Sequence, residues 1–214
     1  MHIINLFILL MLFSETYQEV QSPVKGFYKE KGSKFISYIY PISSLEEVKD
    51  RVKEIKEKEK SAQHYCYAFL LYPDKSASRT NDDGEPPSTA GKPILGQINA
   101  HDLTNTLVIV VRYFGGVKLG ISGLIRAYKN AAKIAISNAT IITKTIKENY
   151  QVYFKYQEMN IVMKIIKEYQ LEIQTTNFKT DCILTFAVEK TKANNVINRF
   201  RDYQNITIKY LKTS

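Results

Sequence analysis

Arg79-Thr80-Asn81-Asp82-Asp83-Gly84-Glu85-Pro86-Pro87-Ser88-Thr89-Ala90-Gly91-Lys92-Pro93 is the first half of the stretch that decides how this 214-residue chain is read. Its second half is Tyr113-Phe114-Gly115-Gly116-Val117-Lys118-Leu119-Gly120-Ile121-Ser122-Gly123-Leu124-Ile125-Arg126-Ala127-Tyr128. Seven of the nine glycines and three of the six prolines fall between Arg79 and Tyr128, beside a run of carboxylates and several cations, which core packing alone does not require. Between the halves, Leu107 to Val111 is a continuous apolar run, the mark of a strand buried on both faces. That strand delivers Arg112 and the glycine-rich turn at its carboxyl end.

Gly115-Gly116 and Gly120-x-x-Gly123 allow backbone conformations closed to other residues and let a ligand approach peptide N–H groups. Where such a turn opens a helix, free amides and the helix dipole make an anion site. Arg112, Lys118 and Arg126 add charge around it, and Lys129 and Lys133 continue a basic stripe along the helix expected over Ile121 to Asn138. The apolar positions Ile121, Leu124, Ile125, Tyr128, Ala132, Ala135 and Ile136 form its other, inward stripe. A phosphate, on a nucleotide or a nucleic-acid backbone, suits such a site. The spacing is neither a Walker loop nor a dinucleotide fingerprint. The competing reading is a tight strand-to-helix turn that needs glycine for packing alone.

Asp82, Asp83 and Glu85 lie in a loop stiffened by Pro86 and Pro87. They either pair with Arg79, Lys92, Arg112 or Arg126 and lock the loop, or hold Mg²⁺ facing the basic turn for phosphoryl chemistry, with Ser88 and Thr89 as further ligands. Without a nucleophile paired to a base in the sequence, locking is preferred. His64, Thr89 and Lys92 are read as site-orienting. His64 and Cys66 share one face of a strand expected over His64 to Tyr72, but two ligands without a second pair make a weak zinc signal.

Working outward, Gly26 to Tyr40 reads as two β segments around a Lys-Gly-Ser turn. Ser43 and Ser44 with Glu46 and Glu47 form capping boxes for a helix reaching about Lys60, whose stripe is Leu45, Val48, Val52 and Ile55. Thr140 to Lys147 closes the first domain as a strand. Beyond it the rhythm is strand Tyr150–Tyr156, helix Glu158–Tyr169, strand Leu171–Phe178, strand Asp181–Val188, helix Thr191–Phe200 and strand Asn205–Lys212. That is βαββαβ, the ferredoxin-like arrangement. It has no glycine and no clustered titratable set, so any chemistry belongs upstream. The expected division is 1–14, 15–146 and 147–214.

The formal charge of +9 is spread evenly: 19 cations against 14 anions up to Ile146, and 11 against 7 after it. Such a balance favours acidic partners, nucleic acid or a ribosomal surface first. Cys66 and Cys182 have no metal-type spacing and fit a reduced, cytoplasmic setting. Ile3 to Phe13 is nearly all apolar but too short to span a bilayer, lacks a preceding Lys or Arg, and has no cleavage site after it. A translation start at Met11 accounts for it best, so no membrane association is expected.

The chain resembles the YigZ/IMPACT family. Asp82 to Pro86, Thr89 to Leu95, Val111 to Gly120 and Gly123 to Tyr128 match its hallmark, and Gly32-Ser33-Lys34-Phe35 and His64-x-Cys66-Tyr67-Ala68 also fit. The resemblance implies an α+β chain. Its N-terminal α/β domain has a left-handed βαβ crossover, as in a small-subunit ribosomal protein and domain four of elongation factor G, and its C-terminal domain is ferredoxin-like, as in that same factor. Typical members begin near Glu15. Two departures from the family pattern stand out: Ser122 replaces a glycine, and Pro87-Ser88 stands where Ser-Gly is common. Eukaryotic relatives regulate translation through an additional domain as well as this one, so a link to translation or RNA carries over.

The leading expectation is a cytoplasmic two-domain protein that binds RNA or the ribosome through Arg112, Gly115, Gly116, Lys118, Gly120, Gly123, Arg126, Lys129 and Lys133. The rivals are a Mg²⁺-dependent enzyme using Asp82, Asp83 and Glu85 on a phosphorylated substrate, and a module that docks protein partners on the ferredoxin-like sheet.

Overall fold

The computed structural model describes residues 15–179 and 181–214; the apolar run Ile3 to Phe13 and the start at Met11 lie outside them. The chain forms two compact units, Tyr17–Lys144, and Thr145–Ser214 together with Glu15 and Thr16. It is a two-unit α+β protein.

The first unit is built on a five-stranded sheet of order β2-β3-β6-β4-β5, from β2 (Val24–Glu30), β3 (Ser33–Pro41), β6 (Thr106–Tyr113), β4 (His64–Leu71) and β5 (Ala77–Asn81). β6 runs antiparallel to both β3 and β4, so those two are parallel to each other and α1 (Leu45–Lys58) makes the crossover between them. Two serines start α1: Ser44 accepts from the Glu47 amide at 3.2 Å, and Glu47 accepts from the Ser43 amide at 2.9 Å. This is a capping box shared between neighbours.

The strand alternation expected for His64 to Tyr72 holds. Cys66, Ala68 and Leu70 face a core with Phe35, Ile39, Val108 and Val110, covered by α2 (Gly91–Ala100) and α3 (Gly120–Asn138). Phe69 and Leu71 face the other core with Tyr38, Leu107, Ile109 and Val111, covered by Val48 and Ile55 of α1. Leu107 to Val111 is wholly buried, as its unbroken apolar run requires.

Three elements were not expected from pattern: β1 (Thr16–Val20), β5 and α2. β1 pairs with β7 (Ile141–Thr145) in a separate two-stranded ladder, so the strand expected over Thr140 to Lys147 is shorter and lies outside the main sheet. α2 begins inside what reads as loop. Its third residue is Pro93, tolerated because first-turn amides have no partner within the helix.

α3 departs from expectation in its facing. Gly123, Ala127, Ala131 and Ala135 recur every four residues and are buried with Leu124, Tyr128, Ala132 and Ile136. Small side chains bring the helix close: a Cβ on Gly26 of β2 would sit 2.9 Å from the Ala135 amide nitrogen. That stripe already fills the contact with the sheet, so Ile121 and Ile125, expected inward, are 66% and 39% exposed.

The second unit is ferredoxin-like. β8 (Lys147–Lys155), α4 (Met159–Glu168), β9 (Glu172–Phe178), β10 (Asp181–Glu189), α5 (Lys190–Arg201) and β11 (Thr207–Thr213) give an antiparallel sheet of order β11-β8-β10-β9. Val162, Ile165 and Ile166 of α4 and Val196 and Phe200 of α5 pack on Val152, Phe154, Leu184 and Phe186.

Candidate functional site

The acidic loop leaves β5 and folds back on itself. Asp82 accepts three backbone amides, Ser88 at 2.8 Å, Ala90 at 2.9 Å and Gly91 at 2.8 Å, and so closes the loop and caps the start of α2. Asp83 accepts the Tyr65 amide at 2.8 Å, tying the loop to β4, with Lys56 of α1 at 3.5 Å. Thr89 is buried, its hydroxyl donating to the Pro86 carbonyl at 2.7 Å. Lys92 is exposed, and its charge favours the Asp82 carboxylate. Arg79 is exposed on β5.

Glu85 turns inward. Its Oε1 accepts from Arg112 Nη1 at 2.7 Å and from the Tyr128 hydroxyl at 2.8 Å. Cys66 Sγ lies 3.3 Å from that hydroxyl and 3.0 Å from the Asp82 carbonyl oxygen, and burial pushes its thiol up. His64 Nδ1 lies 2.9 Å from the Asp83 carbonyl oxygen; a carbonyl can only accept, so this nitrogen carries the hydrogen. His64 Nε2 is left 3.9 Å from Glu85. The residues from β4, β6, α3 and the loop thus form one buried polar network that holds the loop in place.

The three carboxylates therefore serve three different sets of partners and do not converge. Among the described residues no group of three or more His, Cys, Asp or Glu is arranged to hold a metal ion.

Arg112 belongs to that interior. The alternation of β6 puts it on the same face as Val108 and Val110, and its side chain is only 7% exposed. Besides Glu85, it reaches Ser33 Oγ at 3.4 Å, and its guanidinium carbon lies 5.6 Å from the Phe35 ring centroid and 5.5 Å from that of Phe114. It is not presented to solvent with Lys118. The signal was available in the strand parity, which outweighs charge when a residue ends a doubly buried strand.

The glycine-rich turn is on the surface. Residues Phe114 to Lys118 and Gly120 to Ser122 are exposed, and Gly116 and Gly120 take φ of +86° and +70°, with open space where a Cβ would point. Gly115 is needed for another reason. A Cβ there would come within 1.9 Å of the Gly32 carbonyl carbon, because the β2–β3 turn packs directly against it. The Gly115 amide donates to Ser33 Oγ at 3.2 Å, and the Phe114 amide to Gln63 Oε1 at 2.8 Å. Gly123 is buried within α3.

α3 opens from this turn at Leu119, with no side-chain cap and no acidic residue in its first turn. Lys118, Lys129 and Lys133 are exposed, while Arg126 pairs with Glu30 at 2.8 Å. Lys31, beside Gly32, is a further exposed cation that the sequence reading did not include. Also missed were exposed apolar side chains on the turn and at the start of α3: Phe114 48%, Val117 50% and Ile121 66% exposed. Ser122 has ordinary backbone geometry; Ser88 is the serine in the left-handed region, at φ +66°.

Fold and site together define a two-unit α+β protein whose first unit locks an acidic loop against a surface-exposed, glycine-rich helix start. The model of the Impact N-terminal domain matches residues 31–136. An IMPACT family member of Haemophilus influenzae is 32% identical over 164 residues, 75% of this chain and 80% of the relative. IMPACT family member YigZ of Escherichia coli is 27% identical over 89% of this chain and 94% of its own. The crystal structure of a hypothetical protein superposes with a TM-score of 0.75 at 24% identity, over 94% of this chain and 99% of that one. The chain belongs to the IMPACT family. Among the described residues no helix is long and apolar enough to cross a membrane.

Proposed function

We propose that this chain is a cytoplasmic binding protein whose first unit engages RNA, free or within the ribosome, and that it acts in translation. The observation that carries this reading is the start of α3: uncapped, without first-turn acids, preceded by exposed Lys118 and followed along the helix by exposed Lys129 and Lys133. Unpaired first-turn amides and the helix dipole attract a phosphate, and the lysines extend the attraction along a backbone. Arg126 is itself exposed and pairs with a half-buried Glu30, a contact for which a phosphate competes. Arg112 contributes by holding the turn from beneath. The acidic loop contributes rigidity, its three carboxylates being committed to separate partners.

Titrating a labelled RNA at increasing salt tests the reading. Affinity falls steeply as salt rises, and each phosphate contact removed flattens the log–log slope by about 0.7–0.9. The Lys129→Ala/Lys133→Ala double variant is expected to bind more weakly and with a shallower slope. No detectable binding to RNA or ribosomes at low salt, or an unchanged slope in that variant, overturns it.

A further inference from the structure

Phe114 stands on the turn half in water, yet its position is fixed. Its amide is held by Gln63, and beneath its ring lies the Arg112 guanidinium, 5.5 Å from the centroid and itself anchored on Glu85. Val117 and Ile121, within the next seven residues, are exposed as well, and so is Lys118, which follows Val117 in sequence. Single exposed hydrophobic residues are commonplace on proteins. Three within eight residues, with Lys118 among them and the first of them held over a buried guanidinium, mark a candidate binding surface.

The chemistry of this surface selects among nucleic acids. A duplex presents phosphates and groove edges, which the lysines satisfy, but it hides its base faces and leaves the Phe114 ring without a partner. An unpaired base has a free π-face, and stacking on an aromatic side chain beside a cationic track is the common device for binding single strands. We propose that this corner takes unpaired nucleotides of RNA, one base stacking on Phe114 while the neighbouring phosphates meet Lys118 and the first amides of α3. The inference rests on the RNA reading above and adds which form of RNA the site accepts.

Fluorescence anisotropy with the full chain tests it, using labelled oligo(U) and oligo(A) of about 12 nucleotides and an RNA duplex of similar length. Wild type is expected to bind the single strands more tightly than the duplex. Phe114→Leu keeps the apolar bulk but removes the π-face, and is expected to lose on the order of tenfold in affinity for single strands, with duplex binding unchanged. Phe114→Tyr keeps wild-type affinity, and both variants melt as wild type does. If Phe114→Leu binds single strands as tightly as wild type, or the duplex binds equally well, the stacking role is refuted while the RNA reading stands. If wild type binds neither RNA, both fail, and the corner is then a surface for a protein partner.

Discussion

Arg112 and Glu85 are bonded at 2.7 Å with side chains only 7% and 4% exposed, and this buried pair joins the end of β6 to the acidic loop. Removing one partner strands a charge in the interior, which costs about 3–5 kcal/mol. Glu85→Ala is therefore expected to lower stability by that order, read as a shift in the urea midpoint without a change in slope. Glu85→Ala combined with Arg112→Met removes both charges and is expected to recover much of the loss.

Asp82 gives the protein an acid-sensitive joint. Burial alone would raise its carboxyl, but the amides of Gly91, Ser88 and Ala90 outweigh that effect and hold it below the usual carboxylate range. A group depressed in the folded state adds stability above its unfolded pKa and loses it as pH falls through the folded one. Wild type is expected to exceed Asp82→Asn in stability at neutral pH, with the gap narrowing as pH drops below about 4. Denaturant midpoints measured from pH 7 to pH 3 check this; a gap that stays constant assigns the loop's stability to other contacts.

Ser88 sits at φ +66°, where the family resemblance implies glycine, a conformation that costs an L-residue about 1–2 kcal/mol. Part of that is offset by the greater freedom of glycine in the unfolded chain. Ser88→Gly is expected to stabilise the protein by about 0.5–1 kcal/mol, raising the thermal midpoint. Ser122→Gly, at a helical position with ordinary geometry, is expected to destabilise by about 1 kcal/mol. Melting the two variants side by side separates the two departures from the family pattern.

What pattern could and could not reveal follows from how local each cause is. The Ser43–Glu47 cap, the alternating faces of β4 and the doubly buried run of β6 are set by neighbours in sequence, and each was legible. α2 was not, because its cap is Asp82, nine residues before Gly91, and Pro93 in its first turn reads as a loop signal. The facing of α3 was partly hidden. Ile121 and Ile125 continue an apolar stripe, and only the packing of Gly123 and the alanines on β2 shows which edge of that stripe meets the sheet.

The sequence by itself determined the glycine-rich helix start, the two-part organisation and the family motifs, because turns, periodicity and motif spacing are properties of short segments. Tertiary structure decided the role of each charge. Arg112 and Lys118 lie six residues apart with the same sign, yet one is buried against Glu85 and the other meets water. The free energy of a charge depends on what surrounds it, and those surroundings come from strands and helices far away in the chain.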